Sequence, residues 1–271
     1  MRTAVISLAA GRHPHLLMQQ DGLAHSARAA DHYVIVSMAD PAIENLTARR
    51  EPAADVIMLL LKDGRLPLAA ARNAGAARAL AAGADLLVFL DADCIPGPTL
   101  LDGYERVAQD DVLLCGTVAY LPPPPPGGYA LDGLADLAPP HAARPAPADG
   151  EVLRGGDHQL FWSLSFALTA GTWNRIGGFH ETYTGYGGED TDFASTAAQR
   201  DVDLWWVGGA PAYHQHHPTD HPPVQHIDDI LRNGALYKER WGNWPMQGWL
   251  RAFEARGLVQ YVPATDTWCR R

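Results

Sequence analysis

Leu86-Leu87-Val88-Phe89-Leu90-Asp91-Ala92-Asp93-Cys94 decides the fold. Five apolar residues in a row suit a strand buried on both faces, as in a parallel sheet covered by helices. Ligand sites of open α/β sheets lie beyond the carboxyl ends of such strands, and there the chain sets Asp91 and Asp93. At alternating spacing the two carboxylates share a face if the strand runs on that far. Hard oxygen ligands of this kind suit Mg2+ or Mn2+, which in turn bind phosphate oxygens. The plainer reading is an acidic turn, because Asp is common where strands end.

The residues upstream extend the pattern. Thr3 to Leu8 reads as a first strand, followed by the polar loop Gly11-Arg12-His13-Pro14-His15. His32 to Ser37 reads as a second strand, with Asp40-Pro41 after it, and Asp55 to Leu61 as a third. Leu66 to Ala82 is alanine-rich and predicts a helix, Pro67 being tolerated in its first turn. Strands alternating with helices predict right-handed βαβ units and a mostly parallel sheet. A phosphatase-like hydrolase using Asp91 as nucleophile also follows an apolar strand with Asp-x-Asp, but normally at the start of its chain. Here that strand comes fourth.

A second acidic cluster lies about a hundred residues on. Gly177-Gly178-Phe179-His180-Glu181 leads to Gly185-Tyr186-Gly187-Gly188-Glu189-Asp190-Thr191-Asp192. An acidic first turn suits the positive end of a helix dipole, so a helix is expected from Asp190 onward. Gly187 and Gly188 let a ligand approach the backbone. A carboxylate at a helix start stays ionised, as a general base requires. Glu181 reads either as a polar group of the same pocket or as a surface turn acid.

Arg72-Asn73-Ala74-Gly75, a helix, then Leu87 to Pro96 resemble glycosyltransferase family 2, with its GT-A fold. The stretch from Gly177 to Phe193 resembles the C-terminal part of the β-1,4-galactosyltransferases and polypeptide N-acetylgalactosaminyltransferases. Together the matches span roughly residues 3 to 217. The resemblance implies an α/β fold: a Rossmann-like, mostly parallel sheet flanked by helices, with a C-terminal acceptor-binding part. It implies a metal-dependent, inverting glycosyltransferase acting on a nucleotide-diphosphate sugar, with uridine as the expected base, and on a saccharide or other hydroxyl acceptor. Asp91 would contact ribose or metal, and Asp93 would ligate Mn2+ or Mg2+. Asp190 would deprotonate the acceptor, held by Glu189 with Gly187 and Gly188. Such enzymes also recruit a metal-binding His from a later strand; His214 is the first choice and His216 the alternative, since i, i+2 spacing puts both on one face of a strand. Arg12, Arg72 and Asp40 fall after early strands, where a nucleotide would bind; each Arg reads equally as an ordinary solvated side chain, and Asp40 equally as a cap. A non-catalytic nucleotide-sugar binding protein is the third reading, against which the intact Glu189-Asp190 pair speaks.

With 271 residues and a net charge of −10, the chain is expected to form one domain and shows no basic stripe, which argues against a nucleic-acid partner. Three cysteines make no disulfide framework, so a reducing cytoplasm is the simplest setting. No run of about 18 apolar residues predicts a membrane span, though peripheral membrane association stays open. Residues 1–120 form the nucleotide-sugar half and 156–217 the acceptor half. Between them, 121–155 is a proline-rich loop, with five consecutive prolines from Pro122, expected as a polyproline II excursion that acts as a lid or as a disordered insertion. Leu160 to Leu168 predicts a strand. The remainder, 218–271, is a helical extension with a helix from Ile227 to Trp241. Its Trp241, Trp244 and Trp249 are expected to pack that extension onto the core more than to stack on a sugar, and His221 and His226 to face solvent or serve structure.

Overall fold

The structure, a computed structural model, describes all 271 residues. Its first half alternates as expected: β1 (Thr3–Ala9), α1 (His13–Ala24), β2 (His32–Met38), α2 (Ala42–Thr47), β3 (Ala54–Leu59), α3 (Leu68–Ala81) and β4 (Leu86–Leu90). These four strands pair in parallel in the order β3-β2-β1-β4. Then follow β5 (Cys94–Pro96), α4 (Leu100–Val107), β6 (Val112–Tyr120), a single helical turn α5 (Leu134–Leu137) and the short strand β7 (Val152–Leu153). Next come β8 (Ser165–Thr169), α6 (Ala170–Ile176), α7 (Glu189–Gln199) and β9 (Asp203–His214). Helices α8 (Ile227–Trp241) and α9 (Gln247–Ala255) and a hairpin of β10 (Val259–Val262) and β11 (Thr267–Arg270) close the chain. No helix is long and apolar enough to cross a membrane.

The sheet runs β3-β2-β1-β4-β8-β6-β9-β5, with β7 also paired to β9. β8 is antiparallel to both β4 and β6, while β6 and β9 are parallel. The Leu160–Leu168 segment thus becomes a strand only from Ser165, after a 3-10 turn at His158–Leu160. The 121–155 stretch is neither featureless nor free of regular structure. It contains α5 and β7, and it is pinned to the sheet by an Ala119–Pro140 bridge and the His141 amide on the Val118 carbonyl (2.8 Å).

Alternation along the strands sends residues into two layers. Ile6, Val36 and Phe89 face α3 and α7, while Val5, Ile35 and Val88 face α1 and α4. The alanines of α3 let it lie close on β1 and β2; a Cβ on Gly75 would come 2.5 Å from Ile6 Cγ2. The first layer is strongly aromatic. Phe89 and Phe166 stack at 4.6 Å between ring centroids, and Phe179 and Phe193 at 4.1 Å. This stack joins β4, which carries the first acidic pair, to α7, which carries the second. Phe89 is 2% exposed, so Phe89→Ala is expected to lower unfolding free energy by about 3–5 kcal/mol. Urea denaturation measures this, and a loss below about 1 kcal/mol would show that the stack is not what holds the two halves together.

Candidate active site

Asp93 sits in the turn between β4 and β5. Antiparallel pairing of β5 with β9 puts His214 opposite Cys94, one residue away. β9 ends there, and the chain bends: the Gln215 amide donates to the Asp93 carbonyl (2.8 Å), and the Gln215 side chain donates to the His15 carbonyl (3.0 Å). That bend returns His217 to the same carboxylate. His214 Nε2 and His217 Nε2 lie 3.6 and 3.5 Å from Asp93 Oδ2, and one ligand atom from each of the three residues lies within 4.8 Å of the others. Burial opposes ionisation of Asp93, but His217, His214 and Arg12 outweigh it and hold the carboxyl at about 2. Burial lowers the His214 pKa, which keeps that imidazole neutral with a lone pair to offer. An ionised carboxylate beside imidazole nitrogens is a donor set for a divalent cation.

Two expectations are corrected here. His216 is exposed and outside this group. The i, i+2 alternation fails because the strand stops at His214, and His217, which sequence reasoning passed over, takes the position. Asp91 is also outside the metal-competent group, because its carboxylate is turned to Arg72.

Arg72, read as a donor-site or solvated arginine, is 4% exposed and links the two acidic clusters. Its guanidinium donates to Asp91 Oδ1 (3.4 Å), to Ser163 Oγ (2.8 Å) and to Glu189 Oε1 (3.2 Å), and it lies over the Phe179 ring at 5.1 Å. α3 supplies the arginine because its alanine face packs on the sheet and leaves Arg72 at the carboxyl ends of the strands. Burial raises the Asp91 carboxyl to about 6 against the pull of Arg72, with Asp93 and Asp190 adding to the rise. Burial and then the Asp190 charge push Glu189 up to about 7, with Arg72 opposing, and its Oε2 is buried with no partner. Asp190 is raised by burial, opposed by Arg72 and by the Thr191 amide, which donates to Oδ1 at 2.7 Å. Asp91 thus lies in the fields of both Asp93 and Asp190, and Arg72 ties it to Glu189.

Helix α7 begins at Glu189, one residue before the expected start, with Gly188 in the left-handed region (φ 93°) where a side chain would be strained. The C-terminal unit holds this loop from below. Asn233, 1% exposed on α8, donates to the carbonyls of Thr184 (3.1 Å), Tyr186 (3.3 Å) and Gly187 (2.6 Å). Asp229 Oδ2 accepts from the Tyr186 amide (3.1 Å). The Tyr186 ring stacks on His226 at 4.3 Å and lies 5.8 Å from Trp249. Trp241 donates to buried Asp192 (2.8 Å), tying α8 to α7, and Trp244 packs into the apolar cluster of the extension. His226 thus packs on Tyr186, Trp241 joins the extension to the core as expected, and Trp244 and Trp249 pack within the extension's own apolar cluster.

Arg12 caps α1 and forms an ion pair with Asp93. Asp40 accepts from the Gly11 amide and His13 Nε2, each at 2.7 Å, and caps Ala42 at 3.3 Å. Its pKa stays low because His13 and the Gly11 amide outweigh burial. Glu181, exposed, accepts from Asn73 Nδ2 (2.8 Å).

Removing Arg72 leaves buried carboxylates unpaired, so Arg72→Met is expected to cost about 3–5 kcal/mol. Arg72→Lys is expected to restore little of it, lacking the fork that reaches three acceptors. The native protein holds protons on Asp91 and Glu189 that the unfolded chain, at ordinary values of 3.8 and 4.5, has released. In a chelator, stability is therefore expected to fall as pH rises from about 4 to about 7, measured by urea titrations across that range; a rise over the window would contradict the assignment.

Comparison with known proteins bears on the fold. Residues 158–218 match the family described as the N-terminal domain of galactosyltransferase. Validoxylamine A glucosyltransferase of Streptomyces hygroscopicus subsp. jinggangensis (strain 5008) is 32% identical over 146 residues, covering 46% of this chain and 33% of that protein. The subsp. limoneus counterpart is 32% identical over 146 residues, 46% of this chain and 31% of its own. The chain thus spans about a third of the length of these relatives. Among solved structures, GalNAc-T7 with UDP, GalNAc and Mn2+ aligns with a TM-score of 0.62 at 14% identity, over 89% of this chain and 48% of that one. S. aureus TarS 1-349 aligns with a TM-score of 0.57 at 14% identity, over 87% and 65%. A large, mostly parallel sheet flanked by helices matches these structures, and the chain has the fold of the GT-A glycosyltransferases.

Proposed function

We propose that this chain is a metal-dependent glycosyltransferase that moves a sugar from a nucleotide-diphosphate donor, with uridine as base, to a hydroxyl acceptor with inversion. The observation that carries this reading is Arg72, which holds the Asp91 and Glu189 carboxylates to one guanidinium. That link joins the residue two before Asp93 to the residue beside Asp190, which supports a single site for cation and base. The likeness in fold to an enzyme crystallised with UDP, GalNAc and Mn2+, and the relatives named as glucosyltransferases, support the same class of reaction.

Asp93, His214 and His217 fit a divalent cation, and one oxygen with two nitrogen donors suits Mn2+ better than Mg2+, which prefers oxygen alone. When bound, such a cation supplies Lewis-acid stabilisation of the departing diphosphate. Every other step falls to side chains of the chain itself. Asp190 removes the acceptor's proton as the hydroxyl attacks the anomeric carbon from the face opposite the leaving group. Glu189, anchored through Oε1, offers its unpartnered Oε2 to a neighbouring acceptor hydroxyl. Asp91, steadied by Arg72, is placed to accept from a ribose hydroxyl. Arg12, at the start of α1 and paired with Asp93, is the cationic side chain nearest to where the diphosphate would bind beside the cation. Asp40 orders the loop from Gly11 to His13 that borders the nucleotide. The raised Asp91 carboxyl suits a hydrogen-bonding role better than that of an ionised nucleophile in a hydrolase. Three free thiols accord with a cytoplasmic setting.

Calorimetric titration with UDP and Mn2+ is expected to show nucleotide binding that requires the metal, and Asp93→Ala to abolish it. Asp190→Asn is expected to keep nucleotide affinity within about threefold while transfer falls about 10²–10⁴-fold. Transfer retained in that variant would remove Asp190 from the role of base, and hydrolysis of simple phosphate esters by the wild type would favour the hydrolase instead.

A further inference from the structure

Arg144, in the proline-rich loop, is 7% exposed, and its Nε and both terminal nitrogens are buried without a hydrogen-bond partner. No carboxylate pairs with it. What holds the cation is two aromatic faces: the Trp206 ring centroid lies 4.7 Å and the Trp162 centroid 5.4 Å from its Cζ. Desolvated contacts of this kind offset part of the cost of burying an unpaired guanidinium, and so seat the loop against the two rings.

From that clamp an unbroken series of ring contacts leads to the cation-binding trio. Trp162 meets His141 edge to face at 5.2 Å and 81°. His141 meets the Tyr120 ring at 5.1 Å. Tyr120, the last residue of β6, stacks on His214 at 4.5 Å and 22°. The His141 ring is itself oriented, because its Nδ1 accepts from the Ala143 amide at 3.2 Å. His214 makes no hydrogen bond beyond its pairing with Asp93, so no carbonyl or second carboxylate sets its ring plane, the device by which metal-binding histidines are usually oriented.

We propose that Tyr120 is the positioning residue for His214, and that Arg144, acting through Trp162 and His141, makes the loop 121–155 an outer part of the metal centre. The loop then does more than cover the site: seating it orders a cation ligand, and by linkage a bound cation seats the loop by the same factor. This inference rests on the proposed metal role of Asp93, His214 and His217.

The test uses the whole chain and Mn2+ alone, with affinity read by loss of the free-ion electron paramagnetic resonance signal. Tyr120 is 42% exposed, so Tyr120→Ala is expected to fold. It is expected to weaken Mn2+ binding about tenfold, the scale of an outer-sphere loss, with Tyr120→Phe restoring wild-type affinity because the ring face is kept. Arg144→Met is expected to weaken binding in the same direction. Mn2+ is expected to slow hydrogen exchange of the 141–144 amides in the wild type and in Tyr120→Phe, but not in Tyr120→Ala. If His214→Ala binds Mn2+ as tightly as the wild type, the metal assignment itself fails. If His214→Ala loses binding while Tyr120→Ala keeps it, or exchange at 141–144 ignores the metal, the coupling is wrong and the metal assignment stands.

Discussion

One buried cation organises this molecule. Arg72 carries its charge into a space with almost no exposure and meets two carboxylates that arrive from opposite ends of the chain order, one after β4 and one at the start of α7. Isolated, neither carboxylate would stay ionised there and the guanidinium would be an uncompensated charge; desolvation is too costly. Together they partly offset one another, and their raised carboxyl pKa values measure how incomplete the offset is. The residual cost is electrostatic, and it is concentrated at the Asp91 and Glu189 carboxyls beside Arg72.

The aromatic layer makes that arrangement durable. Phe89 on β4, Phe166 on β8, Phe179 before the glycine-rich loop and Phe193 on α7 form one stack, with Phe179 also lying under the Arg72 guanidinium. The apolar face thus fixes the separation of the same elements that carry the charges. The C-terminal extension contributes from the other side. Asn233 replaces missing backbone partners for a loop of glycines that could not order itself.

Much of the first half was legible because its signals are local. The run Leu86–Leu90 and the alternation of strand and helix before it depend on residues adjacent in sequence, and the observed strands and α3 match them to within one or two residues at most ends. Val112–Tyr120 is a strand that passed unread although Val112 to Leu114 is apolar, and Cys94–Pro96 is too short to announce itself. The proline-rich loop read as a bare excursion because composition cannot show that Arg144 finds two indole faces distant in sequence.

The sequence by itself determined the class of fold and the two acidic clusters, since hydrophobic period and side-chain type are written residue by residue. Only the tertiary structure decided partners. It turned Asp91 to Arg72, tied Arg72 to Glu189 as well, and set His217 rather than His216 beside Asp93 and His214. The reason is that a strand's end and the bend after it follow from hydrogen bonds made across the fold, such as that from Gln215 to the Asp93 carbonyl, and spacing along the chain carries no record of them.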